Sequence, residues 1–106
     1  SQAKAILADA VALEAAGAAM LVLECVPRKL ATEISATLKI PVIGIGAGNG
    51  VDGQVLVLHD MVGMTHEFNP RFLRRYMNLF DDMIIAISQN VEDVKTVDFP
   101  SDKEQY

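Results

Sequence analysis

The sequence predicts an α/β fold, and three observations carry that prediction. Uninterrupted apolar runs, Ala19–Leu23 and Pro41–Ile45, alternate with segments whose apolar residues recur at helical spacing. The stretch from 19 to 45 has the length of one parallel strand–helix–strand crossover. A glycine-rich loop, Gly46–Gly53, then leads into a third apolar run, Gln54–Leu58. With 106 residues, 51% of them hydrophobic, the chain has material for one domain and too little for two.

Each element follows from its residues. Between Ser1 and Ala16, Ile6, Leu7, Ala10 and Leu13 mark one face of a helix, and Gly17 stands where its end needs a cap. Ala19–Leu23, closed by Glu24, reads as a strand covered on both faces, as in parallel sheets. Pro27 suits a first helical position. Leu30, Ile34 and Leu38 then share one face of an amphipathic helix, with Arg28, Lys29 and Glu33 on its other faces.

Pro41–Ile45 is the second strand. The glycine loop after it is shorter than the dozen or so residues that a parallel return usually needs. Either it contains a tight helical turn or the third strand, Gln54–Leu58, is irregularly placed. After a polar connection from Thr65, Asn69-Pro70 supplies a cap and a first-turn proline. Phe72, Leu73, Tyr76 and Phe80, then Met83, Ile84, Ile87, Val91 and Val94, extend a helical stripe to about Lys95, as one helix or as two with a bend. The organisation read from this is one unit: 1–68 with the strands and their helices, 69–96 with terminal helices, and 97–106 as a polar arm.

Nine Lys and Arg against fourteen Asp and Glu leave a net charge of −5, the wrong sign for a chain whose partner is nucleic acid. The longest uncharged apolar stretch, Ala15–Leu23, is about half of what crosses a bilayer, so no membrane partner is expected. A single cysteine excludes an internal disulfide and a multi-cysteine zinc site, and fits a reducing compartment, the cytoplasm. The first residues carry no signal-peptide pattern and no initiator Met, and Ser1 drops straight into helical periodicity. The chain is therefore read as the tail portion of a longer polypeptide.

Glu24 is the sharpest chemical feature. A carboxylate that closes an apolar strand stands where α/β barrels and open α/β sheets hold ligands and catalysts, beyond the strands' carboxyl ends. Burial against Leu23 and Val26 would make it a stronger base; the alternative is a solvated residue at a loop start. Cys25, with no histidine near it in sequence, reads as a buried apolar thiol rather than a nucleophile.

The loop Gly44-Ile45-Gly46-Ala47-Gly48-Asn49 lacks the spacing of a dinucleotide fingerprint and the Lys-Ser or Lys-Thr of a P-loop. Its glycines imply only that backbone comes close to something, whether ligand, phosphate or packed neighbour. His59-Asp60 closes the third run on the side of Glu24, yet consecutive strand residues point apart and do not converge on one ion. His66 and Glu67 read as loop surface, and Arg71, Arg74 and Arg75 as either an anion grip or an exposed or subunit-contact face.

Several strings resemble one family. They are Ala12–Gly17, Leu21–Pro27 (Leu-Val-Leu-Glu-Cys-Val-Pro), Ile40–Gly48, Asp52–Asp60, Phe72–Tyr76 and Val91–Lys95, in this order and across nearly the whole chain. They resemble the carboxyl-terminal part of the ketopantoate hydroxymethyltransferases of pantothenate biosynthesis.

The resemblance implies the carboxyl-terminal portion of a (β/α)₈ TIM barrel, with about three of the eight strands, incomplete alone. It implies a decameric enzyme that uses Mg²⁺ and moves a one-carbon unit from 5,10-methylenetetrahydrofolate to 3-methyl-2-oxobutanoate. Glu24 matches the family's proposed general base, and Gly46, Ala47 and Gly48 would border the substrate. The Mg²⁺ ligands and further substrate-binding residues are expected in an amino-terminal part, the chain's expected partner. The tail 97–106 departs from the family pattern. Two alternatives stand beside the enzyme: a non-catalytic remnant that serves as an oligomerisation or binding module, and a phosphate-binding barrel fragment of other chemistry.

Overall fold

Leu30, Ile34 and Leu38 share one helix face, while alternate residues of the first two strands point the same way, and this meeting makes the core. The computed structural model describes residues 1–106. Its elements, in chain order, are α1 (Gln2–Ala15), β1 (Leu21–Glu24), α2 (Arg28–Thr37), β2 (Val42–Ile45), β3 (Gly53–Gln54), α3 (Leu58–Met61) and α4 (Leu79–Lys95). They fall into two compact units, Ser1–Val57 with Pro70–Leu73, and Leu58–Asn69 with Arg74–Tyr106.

The first unit is a parallel sheet in the order β1-β2-β3 with α1 and α2 packed on it. Ser1 caps α1 through its hydroxyl, which accepts from the Lys4 amide. Gly17, at φ +98°, turns the chain out of the helix into β1. Ala10, Leu23, Ala31, Ile34, Leu38, Val42 and Ala47 form the buried cluster. Ile34 and Val42 are wholly buried, each contributing about 1.5–3 kcal/mol by leaving water.

The apolar run of β1 is not covered on both faces as its composition suggests. Leu23 is 6% exposed and its neighbour Val22 is 55% exposed. Successive strand residues face opposite ways, and the helices cover only the Leu23 side. The uncovered face carries Val22 and, in register, Ile43.

The seven residues between β2 and β3 make a parallel return without a crossover helix. Gly46 (φ +64°) and Gly48 (φ +80°) supply the left-handed turns. Asp52 then clasps the beginning of β2, its amide donating to the Val42 carbonyl at 3.0 Å. Its carboxylate accepts from the Val42 amide at 2.8 Å and from the Ser35 hydroxyl at 3.2 Å. These side-chain bonds replace the helix that usually supports such a return, and β3 shortens to Gly53–Gln54 instead of the expected 54–58. Glu14, in the last turn of α1, plays a similar part by accepting from the amides of Lys39 and Ile40.

Residues 70–78 do not form the helix that Asn69-Pro70 and the following stripe predict; α4 begins only at Leu79. The amides that would propagate a helix are taken elsewhere in the second unit. Tyr76, Leu79 and Phe80 donate to the carbonyls of Met61, Val62 and Gly63, at the end of α3. The Arg75 guanidinium donates to the carbonyls of Thr65 (2.7 Å) and Phe68 (2.8 Å) and to the Asn69 side chain, so it holds a loop rather than an anion. Gly63 is buried at φ +70°, and a β-carbon there would collide with the Met77 carbonyl. His66 stacks on Phe80 with ring centres 4.4 Å apart.

α4 places Asp81 and Asp82 in its first turn and Lys95 in its last, both favourable to the helix dipole. None of its residues is buried, and Ile84, Ile87, Val91 and Val94 are between 45% and 59% exposed. No helix of the structure is long and apolar enough to cross a membrane.

Candidate active site

Glu24 is the last residue of β1 and pairs in register with Ile45, the last residue of β2. Two residues on from Val22, it belongs to the sheet face that no helix covers. Its side chain is exposed rather than buried against Leu23 and Val26 as the sequence suggests, because that face has no covering layer among these residues. No protein donor holds its carboxylate. Glu24 helps to line a cavity of about 460 Å³ with Cys25, Val26 and Pro27, Leu30 of α2, and Gln2, Ala3 and Ile6 from the start of α1. The rest of that lining comes from α1, α2 and the turn into α2, on the covered side, so the hollow is not the space in front of the open face. What Glu24 offers at that face is a carboxylate at a parallel strand's carboxyl end, free of internal partners and able to accept a proton.

Cys25 is exposed, not buried. Its φ of +53° breaks the strand's alternation and swings the side chain out of line, while its amide still donates to the Ile45 carbonyl at 2.9 Å. The thiol lies 3.3 Å from where a β-carbon would sit on Gly46, and the Phe72 ring closes the same spot at 2.9 Å. Gly46 is therefore wedged between two side chains of its own unit.

The other loop glycines have a similar explanation. Arg28, Thr32 and Ser35, at i, i+4 and i+7 on α2, form a stripe along the loop. A β-carbon on Gly48 would run into the Arg28 stem, one on Gly50 into Thr32, and Ser35 bonds Asp52. Of ligand, phosphate or packed neighbour, the neighbour accounts for Gly46, Gly48 and Gly50. Ala47 is 1% exposed and belongs to the core. What residues 46–48 offer at the rim is main chain, and its shape is set by α2, Cys25 and Phe72.

His59 and Asp60 do not end a strand. They lie in the single turn of α3, in the second unit, because β3 stops at Gln54. No three His, Cys, Asp or Glu side chains converge to hold a metal ion. The donors present do not fit Mg²⁺. A roomier hollow of about 580 Å³ in the second unit is lined by His66, Asn69, Arg75, Asn78 and Asp81 among others. Most of its polar groups are engaged: Arg75 holds the 65–69 loop, Asn78 donates to Asp81 at 2.6 Å, and the His66 ring stacks on Phe80. That arrangement builds a loop, and its imidazole has no acid bonded to it to form an acid–base pair.

The roles of Asp52, Glu14 and Gln54 escape a reading of the sequence. The signals are faint: Asp52 ends a glycine loop, and Glu14 sits in a last helical turn where the dipole disfavours it, a sign that local partners compensate.

The model of the family described as ketopantoate hydroxymethyltransferase matches residues 1–102. The chain belongs to the ketopantoate hydroxymethyltransferase family. Curated relatives agree over the whole length. The 3-methyl-2-oxobutanoate hydroxymethyltransferase of Christiangramia forsetii is 59% identical over 105 residues, covering 99% of this chain. Those of Bacteroides fragilis and Parabacteroides distasonis are 56% and 55% identical over 106 residues, covering all of it. The chain spans 39% of the length of each relative. The family is one of TIM barrels, and the three parallel strands with their helices form a part of such a barrel, too few to close it. The uncovered sheet face of this ketopantoate hydroxymethyltransferase segment is then the face that a barrel turns inward.

Proposed function

We propose that this chain contributes the general base of a ketopantoate hydroxymethyltransferase, with Glu24 as that base. The enzyme transfers a hydroxymethyl group from 5,10-methylenetetrahydrofolate to 3-methyl-2-oxobutanoate, giving 2-dehydropantoate. One observation carries the reading: Glu24 closes β1 on the uncovered face, in register with the residue that leads into the glycine loop. Catalysts of barrel enzymes stand at that end of the strands.

The chemistry asks for such a group. The carbon next to the ketone is weakly acidic, and a positioned carboxylate that takes its proton generates the carbon nucleophile that attacks the one-carbon unit. Glu24 has no internal donor competing for its lone pairs, and covering the open face would exclude water around it. The main chain of Gly46, Ala47 and Gly48 borders the substrate. The Mg²⁺ of the family is assigned to donors outside these 106 residues, in an amino-terminal part that works with this one. Residues 1–68 supply the last strands and helices, 69–96 the segment that ends in α4 and 97–106 an arm. The assembled enzyme is assigned to the cytoplasm as a homo-oligomer, a decamer by resemblance.

The test is a chimera in which this chain replaces the corresponding last two fifths of the Christiangramia forsetii enzyme. The chimera should turn over, and Glu24→Gln should lower kcat roughly a hundredfold, the scale of losing a positioned base. Near-normal turnover in that variant removes Glu24 from the role. A folded chimera without activity favours a non-catalytic module.

A further inference from the structure

We infer that Gln54 is a positioning residue, which ties the glycine loop in place from the helix-covered side of the sheet. The inference rests on the reading of Glu24 as base and of residues 46–48 as the substrate's border, and adds to it a residue on the opposite face.

The loop needs a tie. Residues 46–51 make no main-chain hydrogen bond to the rest of the chain, and two of them sit in left-handed conformations that glycine adopts freely and leaves freely. Arg28, Thr32, Phe72 and Cys25 limit where the loop can go by contact alone. The one directional bond on it is from Gln54, whose side-chain Nε2 donates to the Gly48 carbonyl at 2.8 Å.

Register explains why position 54 can reach. Gln54 pairs with Gly44, and Gly44 points to the same side as buried Val42. The Gln54 amide lies 3.6 Å from where a β-carbon would stand on Gly44, with Val51 and Ala47 folded over the same glycine. The bare strand at position 44 thus lets the loop lie back on β2, and the amide holds it there. Gln54 is itself exposed, so the bond serves the loop and not the core. Glu24 stands on the other strand face, so loss of the tie should disturb the substrate's border and leave the base where it is.

The experiment uses the active chimera with two variants. Gln54→Glu keeps the length but presents a carboxylate oxygen to the Gly48 carbonyl, whereas Gln54→Leu removes all polar function. Both should raise KM for 3-methyl-2-oxobutanoate about tenfold, the scale of one lost hydrogen bond, with kcat held within about twofold. Backbone order parameters of residues 46–51, read by ¹⁵N relaxation, should fall, with those of β1 unchanged.

Acidification gives the readout that a merely structural role would not move. A protonated Glu at position 54 regains an O–H donor, so its KM, taken relative to the parent chimera, should fall back as pH falls, while that of the Leu variant should not.

Unchanged KM, or KM and kcat worsening together with a lower unfolding temperature, overturns the inference. So does a fall in the loop's order parameters without any change in KM. These outcomes are distinct from failure of the parent reading, which shows as an inactive parent chimera or a fully active Glu24→Gln.

Discussion

The two units solve the same problem, an amphipathic element in need of cover, to different degrees. In the first, α2 buries its stripe on the sheet so completely that Ile34 and Val42 lose all contact with water. In the second, α4 is longer and also amphipathic, yet every residue of it keeps some exposure. Its geometry comes from hydrogen bonds at its entrance, where the carbonyls of Met61, Val62 and Gly63 collect three amides and Gly63 admits the Met77 carbonyl. Burial fixes the region that carries Glu24, and backbone bonding fixes the region that follows it.

That contrast is tested most strongly by paired truncations. Ile34→Ala should cost about 2–5 kcal/mol in urea unfolding, the range for emptying a packed core position. Ile85→Ala, at a site 67% exposed on α4, should stay within about 0.5 kcal/mol. Equal costs would erase the distinction between the two units.

Glycines give a smaller effect of the same kind. Gly63→Ala must adopt a left-handed backbone and push against Met77, and should cost more than the roughly 1 kcal/mol expected of conformation alone. Gly17→Ala, at φ +98° but with open space around it, should cost only that conformational part. Thermal unfolding of the two variants reads the difference, and a milder effect at Gly63 would deny that the Met77 approach matters.

The smallest effect is a pH dependence in the tail. Glu104 accepts the Ser101 amide at 2.9 Å, and this bond, with that of the Ser101 side chain, holds its carboxyl below the ordinary value. A lowered folded value means that the turn's contribution is complete above the usual carboxylate range and fades as pH falls through the lowered one. The Ser101 amide shift, followed by NMR, should move in that window, and Glu104→Gln should abolish the movement.

Much of the first unit was legible in residue order. The run Leu-Val-Leu-Glu announced a strand closed by an acid, and Leu30, Ile34 and Leu38 announced the helix that covers it. Composition could not say that only one face of β1 is covered, since an apolar run looks the same when its second layer lies outside the chain. The short parallel return was illegible because Asp52 and Gln54 support it through side-chain bonds that no periodicity encodes. The helix expected from Pro70 failed for a related reason: Tyr76, Leu79 and Phe80 bond to distant carbonyls, a tertiary choice that overrides a local stripe.

The candidate site divides in the same way. The place of Glu24 at a strand's carboxyl end follows from sequence, while its exposure and the packing of Arg28 and Thr32 against the loop glycines required coordinates.

The role of Glu24 is tested most directly by hydrogen–deuterium exchange at the carbon beside the ketone. The chimera is incubated with 3-methyl-2-oxobutanoate in D₂O without folate, and loss of that carbon's proton signal is followed by NMR. Exchange should be rapid in the parent chimera and slower by roughly a hundredfold in Glu24→Gln, with substrate binding retained. Equal exchange in both would show that another group takes the proton.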